Sequence, residues 1–309
     1  MAQLSTMLKH WLMLFATLCC DVHNTVSSFS TGRSARNCSR KDVKLNMFFA
    51  SIAHSTSTTL DVKLTPLDGS EASIYNAAKF MVDAFWLQSA VDGSDDPSNI
   101  SDAAKSSLLN IQADDLMSKY GERMGRRKLD ALIVVASDGG RSNDNGKLLS
   151  AEDMLGLVTI EVRLLNAHDI LSSDESERML TQAVASLGPK QRREYKDASV
   201  LDIARELLPP EITAVCSLSN LCVSSVARRR GIAAKLCREA ERLAKEELCF
   251  DEIHLRVEAK NESARKLYED KLGYQRKYEA ESARALRVDA QRGVFVEIAS
   301  DILVMSKKL

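Results

Sequence analysis

Arg228, Arg229 and Arg230 run straight into Gly231, where an apolar pattern of helical period begins, in the stretch VARRRGIAAKL. A helix N-terminus already carries about half a positive charge, so further cations are disfavoured there. The arrangement makes chemical sense if a strongly anionic group sits on that helix end. Gly231 lets the backbone pass close to a phosphate with no Cβ in the way. The N–H groups from Arg229 through Ile232 and Ala233 to Ala234 can point at a pyrophosphate. The arginines can add charge-assisted hydrogen bonds to its oxygens. Further along, VEAKNESARKLYEDKLGY places Asn261 at the start of a short helix and Tyr268 seven residues later. On residue type alone Asn261 is an N-cap and Tyr268 a half-buried core aromatic.

The two stretches together resemble the GNAT superfamily of N-acetyltransferases. LCVSSVARRRGIAAKL is similar to its acetyl-CoA motif, Arg/Gln-x-x-Gly-x-Gly/Ala, met here by Arg228, Gly231 and Ala233. Asn261, Tyr268 and Leu272-Gly273-Tyr274 stand at the spacing of the superfamily's second half. SLSNLCVSSVARRRGIA looks most like the plastid and cyanobacterial branch, which is associated with acetylation of protein N-termini and lysines. The resemblance implies acetyl-CoA as co-substrate, no metal, and direct acetyl transfer to a neutral primary amine. The implied acceptors are protein N-termini or lysine side chains. Two rival readings remain: a small-amine acetyltransferase acting on a polyamine or amino acid, and a non-catalytic acetyl-CoA-binding module.

The resemblance also implies site roles. A β-bulge would splay the fourth strand from the fifth, with Leu221, Cys222 and Val223 lining the opening. The Leu221 N–H would polarise the thioester carbonyl as an oxyanion-hole donor does, and the Val223 backbone would pair with pantetheine. Arg228, Arg229, Arg230, Gly231, Ile232, Ala233 and Ala234 would hold the pyrophosphate. Asn261 would hydrogen-bond the cofactor arm, and Tyr268 would be the general acid toward the departing thiolate. In part of the superfamily a Glu general base lies five residues before the Asn; that position here is Arg256. Glu258 lies on the same strand face. Glu161, the acid within the strand GLVTIEVRLL, is the candidate base, against the alternative of an outward-facing strand charge. A water relay through backbone carbonyls and Asn220 is a third route. Cys222 stands beside the thioester position, but neighbouring strand residues face opposite ways, so covalent catalysis is disfavoured.

These residues need a scaffold, and the chain from about Thr59 supplies one α/β domain. TTLDVKL alternates as a strand does, and SEASIYNAAKFMVDAFWLQ repeats apolar residues at helical spacing. A second helix is expected over about 103 to 128, with Leu108, Ile111, Leu116 and Tyr120 inward and a basic cluster, Arg123 to Lys128, at its end. ALIVVAS and MLGLVTIEVRLL read as an antiparallel pair joined by the turn formers of DGGRSNDNGK. Residues 166 to 212 read as a polar insertion with helical pieces near 175–186 and 198–208, stopped by Pro209 and Pro210. EITAVCSLSNLCV is a strand, RGIAAKLCREAERLAKEEL an amphipathic helix with Ile232, Leu236, Ala240, Leu243 and Ala244 inward, and EIHLRVEA a strand. ESARKLYEDKL is a short helix ended by Gly273. YQRKYEAE and VFVEIASDILVMSK close the fold. The expected class is α/β with the GNAT fold: a mixed, mostly antiparallel central sheet, a splayed fourth and fifth strand, and helices on both faces. The acceptor loops of that fold would fall near 85–105 and 280–293.

Composition narrows the rest. The chain has 309 residues, a formal net charge of −1 and 28% charged residues, which gives no global case for nucleic acid or an acidic membrane surface. Seven cysteines lack metal-ligand or disulfide-framework spacing. The first 58 residues differ from the remainder. WLMLFATLCC is a ten-residue apolar run, too short to span a bilayer, which takes about 20 residues, and it fits a signal-peptide core. The Ser-, Thr- and Arg-rich, acid-poor segment after it has transit-peptide composition. Together they resemble the bipartite presequence of algae with complex plastids, with a signal peptide over about 1–28 and a transit peptide from Phe29 to about 58. The expected address is the plastid stroma, with another organelle or secretion as alternatives, and no membrane contact by the mature form. The N-acetyltransferase domain would then run from 59 to 309.

Overall fold

A long antiparallel ladder forms the centre of the molecule because two runs of β-branched and aliphatic residues are joined by a turn-forming connector. Strand β2 (Ala131–Asp138) pairs with β3 (Met154–Asn166) from Ala131↔Glu161 to Ser137↔Met154. The computed structural model describes residues 61–87, 100–121, 130–139, 149–166, 169–196, 198–289 and 292–309. The expected presequence, the basic cluster Arg123–Lys128 and residues 140–147 of the connector lie outside the described residues. Strands β1 (Val62–Pro66), β4 (Ile212–Val223), β5 (Glu252–Glu258), β6 (Gln275–Asp289) and β7 (Val294–Lys308) complete one mixed sheet. Its order is β1-β2-β3-β4-β5-β7-β6, and a two-residue strand, Asp169–Ile170, pairs with β3 off this path. All pairings are antiparallel except β4 with β5, which are parallel and joined by the crossover helix α6 (Ile232–Glu246). This is the mixed sheet the sequence implies.

The sheet buries a different cluster on each face. On one face α6 lays down its stripe of Ile232, Leu236, Ala240, Leu243 and Ala244, all buried against Val158, Ile160, Leu218 and Leu255. The other face carries helix α1 (Glu71–Met81), which runs on into a π turn at Val82–Trp86, and helix α2 (Asp102–Tyr120). Ile74, Phe80, Met81, Phe85, Leu108 and Leu116 pack there on Ile133, Val135 and Leu157. Serine caps start these helices as the sequence pattern requires: Ser70 Oγ accepts from the Ser73 N–H, and Ser101 Oγ from the Ala104 N–H at 3.2 Å. Helix α2 is shorter than expected because Gly121 leaves it with extended dihedrals. Ile111 is only half-buried, and the neighbouring buried position is taken by Gln112. Strand β6 is longer than the expected YQRKYEAE, because its pairing with β7 continues from Gln275 to Asp289 past two register shifts.

The segment 166–212 forms helices α3 (Ser173–Ala185), α4 (Pro189–Glu194) and α5 (Val200–Leu207). α3 and α5 are the helical pieces expected near 175–186 and 198–208, and α4 has no buried residue. β2 begins opposite Glu161, so the end of β3 has an edge that β2 leaves open. The Leu164 N–H donates to Ser176 Oγ of α3 at 3.1 Å, and the Val162 N–H to the Asp130 carbonyl at 2.8 Å, which satisfies that edge. Leu180 and Ile203 are buried in the α6-side cluster. A capping box between Ser172 and Glu175 fixes where α3 starts.

Gly156 of β3 sets how closely α6 can sit. A Cβ there would lie 2.9 Å from Leu236 Cδ1 and 3.0 Å from the Cys222 carbonyl oxygen. Gly156→Ala is therefore expected to push α6 off the sheet and cost about 1–3 kcal/mol, the usual scale for overpacking, read as a lower midpoint in chemical denaturation with an unchanged slope.

Candidate active site at the splayed strands

Strands β4 and β5 pair over three steps only, Cys216↔Ile253, Ser217↔His254 and Leu218↔Leu255. Beyond Leu218 both strands continue, to Val223 and to Glu258, without pairing to each other. A bulge lies at the fork. The β3–β4 register passes from Thr159↔Ser219 to Leu157↔Cys222, so β4 holds an extra residue. Asn220 carries it with a φ of 53°. That left-handed backbone costs an ordinary L-residue about 1–2 kcal/mol, and Asn adopts it more readily than most. After the bulge Leu221 and Val223 pack on the α6 side, whereas Cys222 packs on the α1–α2 side. The Ser224 N–H donates to the Leu155 carbonyl of β3 at 3.0 Å. By the alternation of a strand, the Leu221 and Val223 N–H groups therefore face the opening toward β5.

The arginine-rich loop lies at the mouth of that opening and leads into α6. Arg229 has φ 63° and Gly231 φ 77°, and Gly231 is the N-cap, with no side-chain cap on the helix. A Cβ at Gly231 would meet nothing within 4 Å, so the approach to the helix end is open. Left-handed residues in such a turn gather N–H groups into an anion-binding concavity. Ile232 is buried, Ala233 and Ala234 are half-buried, and Arg229 and Arg230 are exposed. Arg228 differs from its two neighbours: its Nε donates to the Val223 carbonyl at 3.3 Å and its Nη2 to the Ala84 carbonyl at 3.5 Å. It ties the loop before α6 to the π turn after α1.

On the β5 side, Asn261 caps helix α7 (Glu262–Lys266), accepting from the Ala264 N–H through Oδ1 at 3.2 Å. The helix runs on as a π turn, Leu267–Leu272, and Gly273 ends it at φ 78°. Tyr268, on that turn, is 0% exposed and not half-exposed as its residue type suggested. Its ring meets Tyr274 edge-on at 5.6 Å within the α6-side cluster.

Glu161 is not brought to the opening. It is 1% exposed, so the outward-facing alternative is also overturned. Its carboxylate accepts from Arg163 Nε at 2.9 Å and Arg163 Nη2 at 2.8 Å, and from the Ser173 hydroxyl. It pairs across the ladder with Ser217, four residues from Leu221, or about 13 Å along the strand. Residues 161 and 163 alternate onto one face of β3, and the ion pair is what makes that burial tolerable. Glu258 does reach the splayed end of β5, where Arg287 Nη2 at 2.6 Å and Ser300 Oγ at 3.0 Å engage its carboxylate. Arg256 is half-buried on the same strand face, opposite Val304 of β7. His254, two residues earlier, has its pKa lowered, chiefly by burial.

Sequence reasoning missed what joins the π turn after α1 to β7; residues 88–99 of the loop expected near 85–105 lie outside the described residues. Trp86 of the π turn packs edge-on against Phe295 of β7 at 4.8 Å, and its Nε1 donates to Gln112 Oε1 at 2.6 Å. Gly293, in the turn between β6 and β7, sits so close to α2 that a Cβ would lie 2.5 Å from Ala104 Cα. The signal was available only in part: a Trp and a buried Gln on adjacent helices become partners only once the helices pack.

Residues 206–274 match the model of the Acetyltransferase (GNAT) family. The bulged, splayed parallel pair and the uncapped α6 N-terminus both lie inside that span, so the match falls on the part of the chain that builds the opening. No curated protein matches it in sequence. Among solved structures it is similar to Arabidopsis thaliana NAA60 in complex with a bisubstrate analogue, at 13% identity and a TM-score of 0.41, over 80% of this chain and 99% of that one. It is similar also to the Escherichia coli ribosomal-protein-S18-alanine N-acetyltransferase, at 14% identity and TM-score 0.39, over 80% and 93%. A third likeness is to mutant forms of the Vibrio cholerae spermidine/spermine N-acetyltransferase SpeG, at 11% identity and TM-score 0.39, over 80% and 94%.

The two readings of Glu161, base or buried ion-pair partner, differ in outcome. Glu161→Gln leaves the Arg163 charge buried and is expected to cost about 3–5 kcal/mol of stability, while the pH dependence of kcat below the melting range stays as in the parent protein. Thiol chemistry gives an independent check of the core. Burial pushes the Cys216 thiol up to about 12 and raises Cys237 further, while Cys249 is exposed. Alkylation of the native protein followed by peptide mapping should label Cys249 and spare Cys216, Cys222 and Cys237 until denaturant is added.

Proposed function

We propose that this protein transfers acetyl directly to primary amines of proteins, at N-terminal α-amines, lysines or both. The observation that carries the choice of acceptor is the charge on the sheet face opposite α6, from which an amine would approach. The carboxylates that β3 and β5 carry on that face are each held by a cation, Glu161 by Arg163, Glu258 by Arg287 and Glu252 by Lys277. A polyamine carries several positive charges and would need net negative charge there. A single neutral amine on an extended tail would not.

In this reading the Leu221 N–H polarises the thioester carbonyl and the Val223 backbone pairs with the pantetheine arm. The N–H groups from Gly231 to Ala234, with Arg229 and Arg230, hold the pyrophosphate. Arg228 acts as the strut between Val223 and Ala84. Asn261 keeps its Nδ2 as a donor to the cofactor arm while Oδ1 caps α7. Tyr268 gives its proton to the departing thiolate. Because Tyr268 is buried, this role requires the thioester to enter the gap between β4 and β5. Glu161 is set aside as the base. The composition of residues 1–58 supports delivery to the plastid of an alga with a complex plastid, which a fluorescent fusion of that segment would test.

Acetyl transfer is to be measured against peptides with varied N-termini and internal lysines, with free polyamines in parallel. Peptide acetylation is the expected result; transfer to polyamines alone would move the function to a metabolite enzyme, and acetyl-CoA binding with no transfer would make it a sensor. The acceptor class is read from pH. kcat/KM should level near about 8 for an α-amine and climb toward about 10.4 for lysine, since only the neutral amine attacks. Tyr268→Phe should lower kcat by about tenfold to a hundredfold with little change in acetyl-CoA affinity; equal turnover would remove the acid assignment.

A further inference from the structure

Three side chains to which the proposed function gives no role meet at the fork between β4 and β5. Asn220 Nδ2 donates to Thr159 Oγ1 at 3.0 Å. Thr159 Oγ1 lies 3.0 Å from Ser219 Oγ. Thr159 is fully buried on β3, while Ser219 and Asn220 are half-buried where β5 departs. Since Asn220 donates to Thr159, the Thr159 hydroxyl proton is available to Ser219. Tyr120 of α2 lies next to Thr159. Ser219 and Asn220 thus turn to one face although they are neighbours in a strand, which happens only because Asn220 is left-handed. Pairing with β5 ends one residue earlier, at Leu218, and regular pairing with β3 is restored at Cys222. Without the extra residue every later side chain of β4 would exchange faces, and Cys222, not Leu221, would present its N–H to the opening.

We infer that the Asn220–Thr159–Ser219 group is a positioning latch: it holds the β4 bulge in register and thereby aims the Leu221 N–H at the acyl carbonyl. The inference rests on the acetyltransferase reading above. Thr159 is a positioning residue, acting through the backbone of β4, and touches neither co-substrate nor acceptor.

The test compares Thr159→Val, which keeps shape and loses the hydroxyl, with Thr159→Ser, which keeps the hydroxyl, in the full chain and well below the melting temperature. A donor displaced by about 1 Å can cost a hundredfold in rate. Thr159→Val should lower kcat by about tenfold to a hundredfold and leave the KM for acetyl-CoA within about twofold, because the phosphate-binding loop is untouched. Thr159→Ser should restore kcat to within about threefold of the parent. Asn220→Gly, which accepts the left-handed backbone, should retain more activity than Asn220→Ala. Amide exchange across 219–223 should speed up in Thr159→Val and not in Thr159→Ser. Parent-like kcat and exchange in Thr159→Val, or equal losses in both Thr159 variants, would overturn the latch. If the parent protein acetylates nothing, the acetyltransferase reading fails by itself. The latch is then decided by exchange: faster in Val alone supports it, and unchanged exchange sinks it.

Discussion

Three steps of parallel pairing hold β4 to β5, and the use of this fold depends on the pairing stopping there. Two strands that begin side by side would normally continue their ladder, because an unmade hydrogen bond between buried backbone groups costs about 1–3 kcal/mol. Here the ladder is broken by one extra residue, Asn220, in a backbone conformation that few residue types accept. The break leaves β4 and β5 with backbone groups pointing into a wedge. A wedge lined in that way suits a ligand that brings hydrogen-bonding amides of its own. The α6 N-terminus lies at the mouth of the same wedge because β4 leads into it through the Arg228–Gly231 loop.

The face opposite α6 shows what must be stabilised for such a wedge to persist. Two ion pairs, Glu161 with Arg163 and Lys119 with Asp115, lie almost fully buried beneath α2. Buried pairs add little net stability compared with well-packed apolar residues, but they demand one arrangement of partners. Glu161 also receives the Ser173 hydroxyl at the start of α3, so it joins β3 to the helices that cover the open edge of that strand. Those helices lie at the end of β4 remote from the bulge: Leu164, which Ser176 caps, pairs with Ala214, seven residues from Leu221. The described residues of the segment 166–212 thus support the sheet at the end of β3.

Legibility in the sequence followed the range of the interaction. Helix α6 was readable because its stripe repeats at 3.6 residues, and the glycine and arginines before it are local. The order of strands and the splayed pair came from the resemblance over the same local stretches. Glu161 was not readable, since its partners are a residue two positions away on the same face and a serine in another element. The Trp86–Gln112–Phe295 contact joins three segments that only the folded sheet brings together. Asn220 was half-readable: Asn is depleted in strands, so its place within SLSNLCV is itself a sign of a bulge. The length of α2 was misjudged because a basic cluster suggested a C-terminus beyond Gly121, where the glycine already ends the helix.

Arg228 shows why a motif residue need not act through the ligand its motif suggests. Its guanidinium bridges the Val223 carbonyl, at the end of the wedge, and the Ala84 carbonyl, in the π turn beside Trp86. Trp86 in turn packs on Phe295 of β7. A π turn widens the helix by one residue and frees a carbonyl from its usual partner, and an arginine with several fixed donors can join such a carbonyl to a strand end. Arg229 and Arg230, by contrast, are exposed beside the uncapped N-terminus of α6. The loop before α6 and the π turn after α1 are thus joined through one side chain, which is anchored at Val223, two residues from the Leu221 amide that faces the wedge.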